Sequence, residues 1–171
     1  MDDQPPRDRY IARLRVRHYE MDALGHVNNA VYLHYLEDAG WQHSNHLGMT
    51  WERYDELGGI FVLRRIEIDY LRPAVAGDPL EIATWVHEMH GPRAVRKYQI
   101  THAETRQVLL RATGLWAWID RATERPRRIP AAIFTTFGSP SHADGEQEER
   151  YSDGRSVDGD LSSDGWLSSD G

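Results

Sequence analysis

Between Asn28 and about Leu47 apolar residues recur at helical spacing, and no other segment sustains that pattern over a comparable length. Tyr32, Tyr35, Leu36 and Ala39 share one side, Val31, Leu33 and Gly40 flank it, and His34, Glu37 and Asp38 fall opposite. The apolar arc spans roughly half the circumference, wider than the stripe of an ordinary surface helix, so other elements must cover it. Asn28 suits the N-cap, and Gly48 after Leu47 suits the stop. The remaining patterns are strands. Residues 9–19 alternate, as do 61–71, 80–89, 93–103 and 108–120, the last carrying Ala112, Gly114, Trp116 and Trp118 at period two. The order β-α-β-β-β-β predicts an α+β domain in which an antiparallel sheet of about five strands wraps around one long helix.

Composition limits what such a domain can do. The 171 residues suffice for one core, and 40% hydrophobic with 27% charged residues is ordinary for a water-soluble globular chain. The absence of cysteine removes disulfides, thiolate metal sites and a cysteine nucleophile. The polar N-terminus and the lack of any run near the ~20 apolar residues of a membrane span predict a cytoplasmic protein with no membrane partner. Residues 139–171 hold nine acids and two bases, which accounts for the whole net charge of −7. The rest is balanced, without the basic footprint of a nucleic-acid binder. The tail, rich in Ser, Gly and Asp, has too little apolar surface to offset its ordering entropy. We therefore expect a folded domain over 8–138 and a disordered acidic tail over 139–171.

The segment joining the first strand to the helix concentrates the chemistry: His18-Tyr19-Glu20-Met21-Asp22-Ala23-Leu24-Gly25-His26-Val27-Asn28-Asn29. The first turn of a helix has amide N–H groups without intrahelical acceptors, at the positive end of the dipole. A carbonyl oxygen gaining negative charge is stabilised there. Asp22, on the preceding turn, could attack an acyl carbon or activate a water. The same residues also suit a plain Asp-x-x-Gly turn followed by a capped helix. Glu20, two residues earlier, pairs with Asp22 only if the strand continues that far.

The string Glu20-x-Asp22-x-x-Gly25-His26-Val27-Asn28-Asn29-x-x-Tyr32-x-x-Tyr35-x-Glu37 resembles the signature of hotdog-fold acyl-CoA thioesterases of the 4-hydroxybenzoyl-CoA thioesterase type. Tyr70-Leu71-Arg72-Pro73-Ala74-x-x-Gly77-Asp78 extends the likeness, which covers about residues 10–134. It implies a hotdog fold, assembly into homodimers or homotetramers with active sites at the dimer interface, and acyl-CoA as substrate without any further cofactor. Asp22 would be nucleophile or general base, the backbone amide of Asn29 would polarise the thioester carbonyl, and His26 would complete the catalytic turn. Gly25, Val27, Asn28 and Tyr32 would line the substrate. Acyl groups on a carrier protein are the alternative substrate, and a non-catalytic acyl-binding module is the alternative class.

Other chemistries find less support. His43-x-x-His46 offers two imidazoles on one helical face with no third ligand nearby, so no metal site is expected. Gly-x-Ser-x-Gly and phosphate-cradling glycine loops are absent. Arg93, Arg96, Lys97, Arg127 and Arg128 read as solvated charges. Among them Arg93 and Arg128 are candidates for holding coenzyme A phosphates, which suit bidentate arginine contacts.

Overall fold

The computed structural model describes residues 5–6 and 9–138; the acidic segment 139–171 lies outside the described residues. The order is β1 (Tyr10–Arg15), a 3-10 turn (His18–Glu20), α1 (Asn29–His46), α2 (Trp51–Glu56), β2 (Gly59–Tyr70), β3 (Pro79–His90), β4 (Arg93–His102), β5 (Val108–Asp120) and α3 (Ala131–Phe137). The strands form one five-stranded antiparallel sheet in the order β1-β3-β4-β5-β2, with α1 packed on its inner face. This is the α+β architecture expected from the order of patterns, and it is the hotdog fold that the resemblance implies.

The apolar arc of α1 goes where its width requires. Tyr32, Tyr35, Leu36 and Ala39 are all buried, against Leu80 and Ile82 of β3, Tyr98 and Ile100 of β4 and Leu110 of β5. Fully burying an aliphatic side chain of this size contributes about 1.5–3 kcal/mol. The Asn28 side-chain oxygen accepts from Ala30 N–H at 2.9 Å, as an N-cap should. Leu33, expected at the flank, stays exposed.

A second cluster lies under α2 and α3, two helices too short for periodicity to announce. Trp118 is its centre, fully buried and met by the rings of Tyr54 at 5.9 Å and Phe61 at 5.2 Å. At Gly59, where β2 begins, a Cβ would lie 2.6 Å from the Ile119 carbonyl oxygen and the Trp118 ring. Only glycine lets β2 pass this close to β5.

The first strand is shorter than its pattern. Val16 is held by Asp78 and Gly77 of the β2–β3 connection, through hydrogen bonds of 3.0 and 2.9 Å. The next N–H, of Arg17, donates at 2.6 Å to the Glu20 carboxylate, which winds residues 18–20 into the 3-10 turn. The chain thus leaves the sheet before Glu20, so Glu20 and Asp22 are not alternate residues of one strand.

Candidate active site

The loop carrying Asp22 is closed twice. Met21 and Val27 form an isolated antiparallel bridge, Asp22 N–H donates to His26 O at 2.7 Å, and Gly25 N–H donates to Asp22 O at 3.1 Å. The carboxylate joins in: its Oδ1 accepts from Leu24 N–H at 2.8 Å and His26 N–H at 3.2 Å. Its Oδ2 accepts no hydrogen bond among the described residues. Asp22 therefore serves the turn with one oxygen and keeps the other uncommitted. Gly25 adopts φ +76, and a Cβ there would meet nothing within 4 Å. The backbone conformation, not space, demands glycine.

Four long-range hydrogen bonds tie this loop and the start of α1 to the fold. Asn28 N–H donates to Glu20 O and Val27 N–H to Ala74 O, both at 2.9 Å. Ala74 N–H donates to the Tyr32 hydroxyl at 3.1 Å, and the Tyr70 hydroxyl donates to Asn29 O at 3.2 Å. Burial pushes the Tyr32 phenol above its ordinary pKa, which keeps it protonated. At the helix end the N–H groups of Ala30 and Val31 are taken by the Asn28 side chain and carbonyl. The Asn29 N–H has no acceptor among the described residues. An uncommitted carboxylate oxygen and an uncommitted amide N–H thus sit on the two limbs of one bridged loop.

Glu20 has a different role. Buried, it accepts from the Tyr35 hydroxyl at 2.5 Å and from Arg17 N–H at 2.6 Å, and pairs with the Arg17 guanidinium at 3.3 Å. Burial, reinforced by the Glu20 carboxylate, drives the Tyr35 phenol far above its usual pKa, so it remains a donor. Glu20 is spent on anchoring the loop. Sequence reasoning had no signal for this beyond its two-residue spacing from Asp22.

The other candidates separate. Val27 and Tyr32 are core residues, whereas Gly25, His26, Asn28 and Asn29 are exposed around Asp22. Arg93 begins β4 at the β3–β4 hairpin, and Arg128 precedes Ile129, whose N–H docks on Gly91 O of that hairpin at 2.8 Å. The Asp22 loop contacts the opposite end of the sheet, around Ala74 and the start of β3, roughly 30 Å away along a strand of this length. Within one chain these two arginines do not share a site with Asp22. Arg96 is not a solvated charge at all. It is buried, because alternation along β4 sends it inward with Ala94 and Tyr98. His43 and His46 pack on the Tyr10 ring at 5.5 and 5.3 Å, and no group of three metal-ligating side chains forms among the described residues. No helix among them is long and apolar enough to cross a membrane.

Residues 16–137 match the Thioesterase-like superfamily. The chain is 33% identical over 114 residues to the long-chain acyl-CoA thioesterase FadM of Escherichia coli strain K12, a match covering 66% of this chain and 85% of that enzyme. It is 28% identical over 125 residues to the chloroplastic acyl-acyl carrier protein thioesterase ATL2 of Arabidopsis thaliana, covering 73% of this chain and 66% of the plant enzyme. A Thermus thermophilus thioesterase crystallised with coenzyme A and Zn superposes with a TM-score of 0.64 at 28% identity, covering 74% of this chain and 90% of that one. Given a family match over most of its length, and the five-stranded sheet and long helix that accompany it, the chain belongs to the Thioesterase-like superfamily of hotdog proteins.

Proposed function

We infer that the protein hydrolyses acyl-CoA thioesters to a free carboxylic acid and coenzyme A, with chemistry of the 4-hydroxybenzoyl-CoA thioesterase type. The observation that carries this reading is the open Oδ2 of Asp22 on a loop shared with the unclaimed N–H of Asn29. The thioester oxygen accepts from the Asn29 N–H, where the helix terminus stabilises the charge that develops on it. Asp22 then acts in one of two ways. As nucleophile it forms a mixed anhydride with the acyl carbon and expels the thiolate, and water cleaves the anhydride. As general base it takes a proton from a water that attacks the same carbon. Either path consumes one water and returns the carboxylate. His26 stands exposed beside Asp22, where it can carry the proton to the departing thiolate. Similarity to FadM and to the coenzyme A-bound Thermus enzyme supports coenzyme A as the carrier, and similarity to ATL2 keeps carrier-protein thioesters as the second substrate class.

A hydrolysis panel with free-thiol detection tests this reading. It runs short, long and aromatic acyl-CoAs beside the same acyl groups on a carrier protein. We expect thiol release from at least one acyl-CoA at a higher kcat/KM than from its carrier-protein counterpart. No release from any thioester would overturn the enzymatic reading, and preference for the carrier protein would move the substrate class.

Self-association belongs to the same reading. The edge strand β2 leaves Val62, Leu63 and Tyr70 about 40% exposed or more, with Leu33 of α1 exposed as well. A twelve-residue edge with apolar side chains calls for a cover, and a second copy of the chain supplies one. We expect light scattering to return a homodimer or homotetramer at micromolar concentration. A monomer would overturn an active site shared between protomers.

A further inference from the structure

Arg96 is a cation for which the described residues supply no anion. It lies on β4 between Val86 of β3 and Gly114 of β5, and is only 9% exposed. Its Nη1 donates to His43 Nδ1 at 2.9 Å and to Thr84 Oγ1 at 3.2 Å, and its guanidinium lies over the Phe137 ring at 5.6 Å. A guanidinium only donates, so Nδ1 of His43 is the acceptor in this contact. No carboxylate comes within ion-pair distance of Arg96 among the described residues. Its Nε and Nη2, the edge on which arginine takes a carboxylate through two parallel hydrogen bonds, have no acceptor there. Burial lowers the pKa of Arg96, yet a guanidinium stays protonated in proteins. A buried charge without a counter-ion costs several kcal/mol, so Arg96 calls for an anion that the described residues do not supply.

The surroundings say what kind. Arg96 lines a cleft of about 140 Å³ between the second half of α1 and the sheet, walled by Trp41, Tyr54, Phe61, Met89 and Trp116. Gly40 of α1 carries no side chain into this space, whereas at Gly114, opposite Arg96, the Trp116 indole nitrogen would lie 2.9 Å from a Cβ. Glu37 is the one carboxylate along the cleft; it is exposed and outside ion-pair distance of Arg96.

We propose that this cleft binds a small carboxylate with an aromatic or medium-chain apolar body, the carboxylate seated on Arg96 and the body against the tryptophans. Gly40 lies eleven residues beyond Asn29, ~16 Å along the helix axis, so the cleft is not where the thioester would be cleaved. The same ligand chemistry has two sources. One is a free acid, which needs no thioesterase activity. The other is an acyl-CoA whose acyl chain ends in a second carboxylate, a source that rests on the function proposed above.

Tryptophan fluorescence of the full-length protein, titrated with octanoate and 3-phenylpropanoate and with their neutral amides, tests the site. The acids should bind at least tenfold more tightly than the amides, and Arg96→Met should abolish that difference. Gly40→Leu, which keeps Arg96 but fills the cleft, should weaken both acids and remains informative if Arg96→Met fails to fold. Asp22→Asn should bind like the parent. Equal affinity for acids and amides, or undiminished binding by Gly40→Leu, would overturn the proposal. To separate the sources, hydrolysis of an ω-carboxyl acyl-CoA is compared with that of its methyl-ended analogue. A kcat/KM preference for the former that Arg96→Met removes assigns the acyl tail to the cleft. Acid binding without that preference assigns the free acid. Acid binding by a protein that cleaves no thioester would leave this site standing while the proposed activity fell.

Discussion

Asp22→Asn should leave the fold and the affinity for acyl-CoA in place and lower kcat by two or more decades. The carboxamide oxygen can still accept from the Leu24 and His26 N–H groups that Oδ1 now holds at 2.8 and 3.2 Å, so the turn closes as before. What disappears is the charge on the second oxygen. An amide neither attacks a thioester carbon nor accepts a proton from water at working pH, and positioned acid–base groups contribute on the order of 10²–10⁴-fold. The Asn29 N–H is untouched, so on the proposed mechanism substrate carbonyls should be bound and polarised as in the parent. Steady-state kinetics on the best thioester, with circular dichroism to check folding, decides the matter. A near-normal kcat would remove Asp22 from the mechanism and return its carboxylate to the role of a turn residue.

Glu20→Ala should cost about 2–4 kcal/mol of folding stability and reduce turnover indirectly. The substitution leaves the buried Tyr35 hydroxyl and the part-buried Arg17 N–H without acceptors; a buried group so abandoned costs about 1–3 kcal/mol, and a part-buried one less. Because the Arg17 side chain is largely exposed, its ion pair adds little to that figure. The Glu20 backbone carbonyl also receives Asn28 N–H, so loosening the 3-10 turn loosens the cap of α1 and the Asp22 loop with it. Tyr35→Phe should be milder, since Glu20 then keeps Arg17. Urea unfolding of both variants measures the effect. A Glu20→Ala protein within about 1 kcal/mol of the parent would mean that Glu20 does not anchor the loop.

Much of the site was legible before any coordinates because its parts are local. The Asx-type turn at Asp22, the positive φ of Gly25 and the cap at Asn28 involve partners no more than four residues apart, and such short-range chemistry leaves residue-type signals. Glu20 was legible only as a neighbour of Asp22. Its partner Tyr35 is fifteen residues away, and the bond between them exists because α1 folds back over the end of β1. The arginines show the same division more sharply. Arg93, Arg96 and Arg128 look equivalent as charges along the chain. Strand alternation, once the inner face is known, buries Arg96 and turns Arg93 outward, while Arg128 is exposed in the segment that follows β5.

By itself, then, the sequence determined the helix of residues 29–46 and its cap, the strands that cover it, and the loop that presents Asp22. Each of these follows from backbone preferences and periodicities that act over a few residues. The tertiary structure alone decided which charges are buried and what they meet: Glu20 against Tyr35, and Arg96 against His43, fifty-three residues distant, at the edge of an apolar cleft. The reason is physical. The cost of burying a charge depends on everything that surrounds it, and those surroundings are assembled from strands and helices that the local pattern of the chain does not relate to one another.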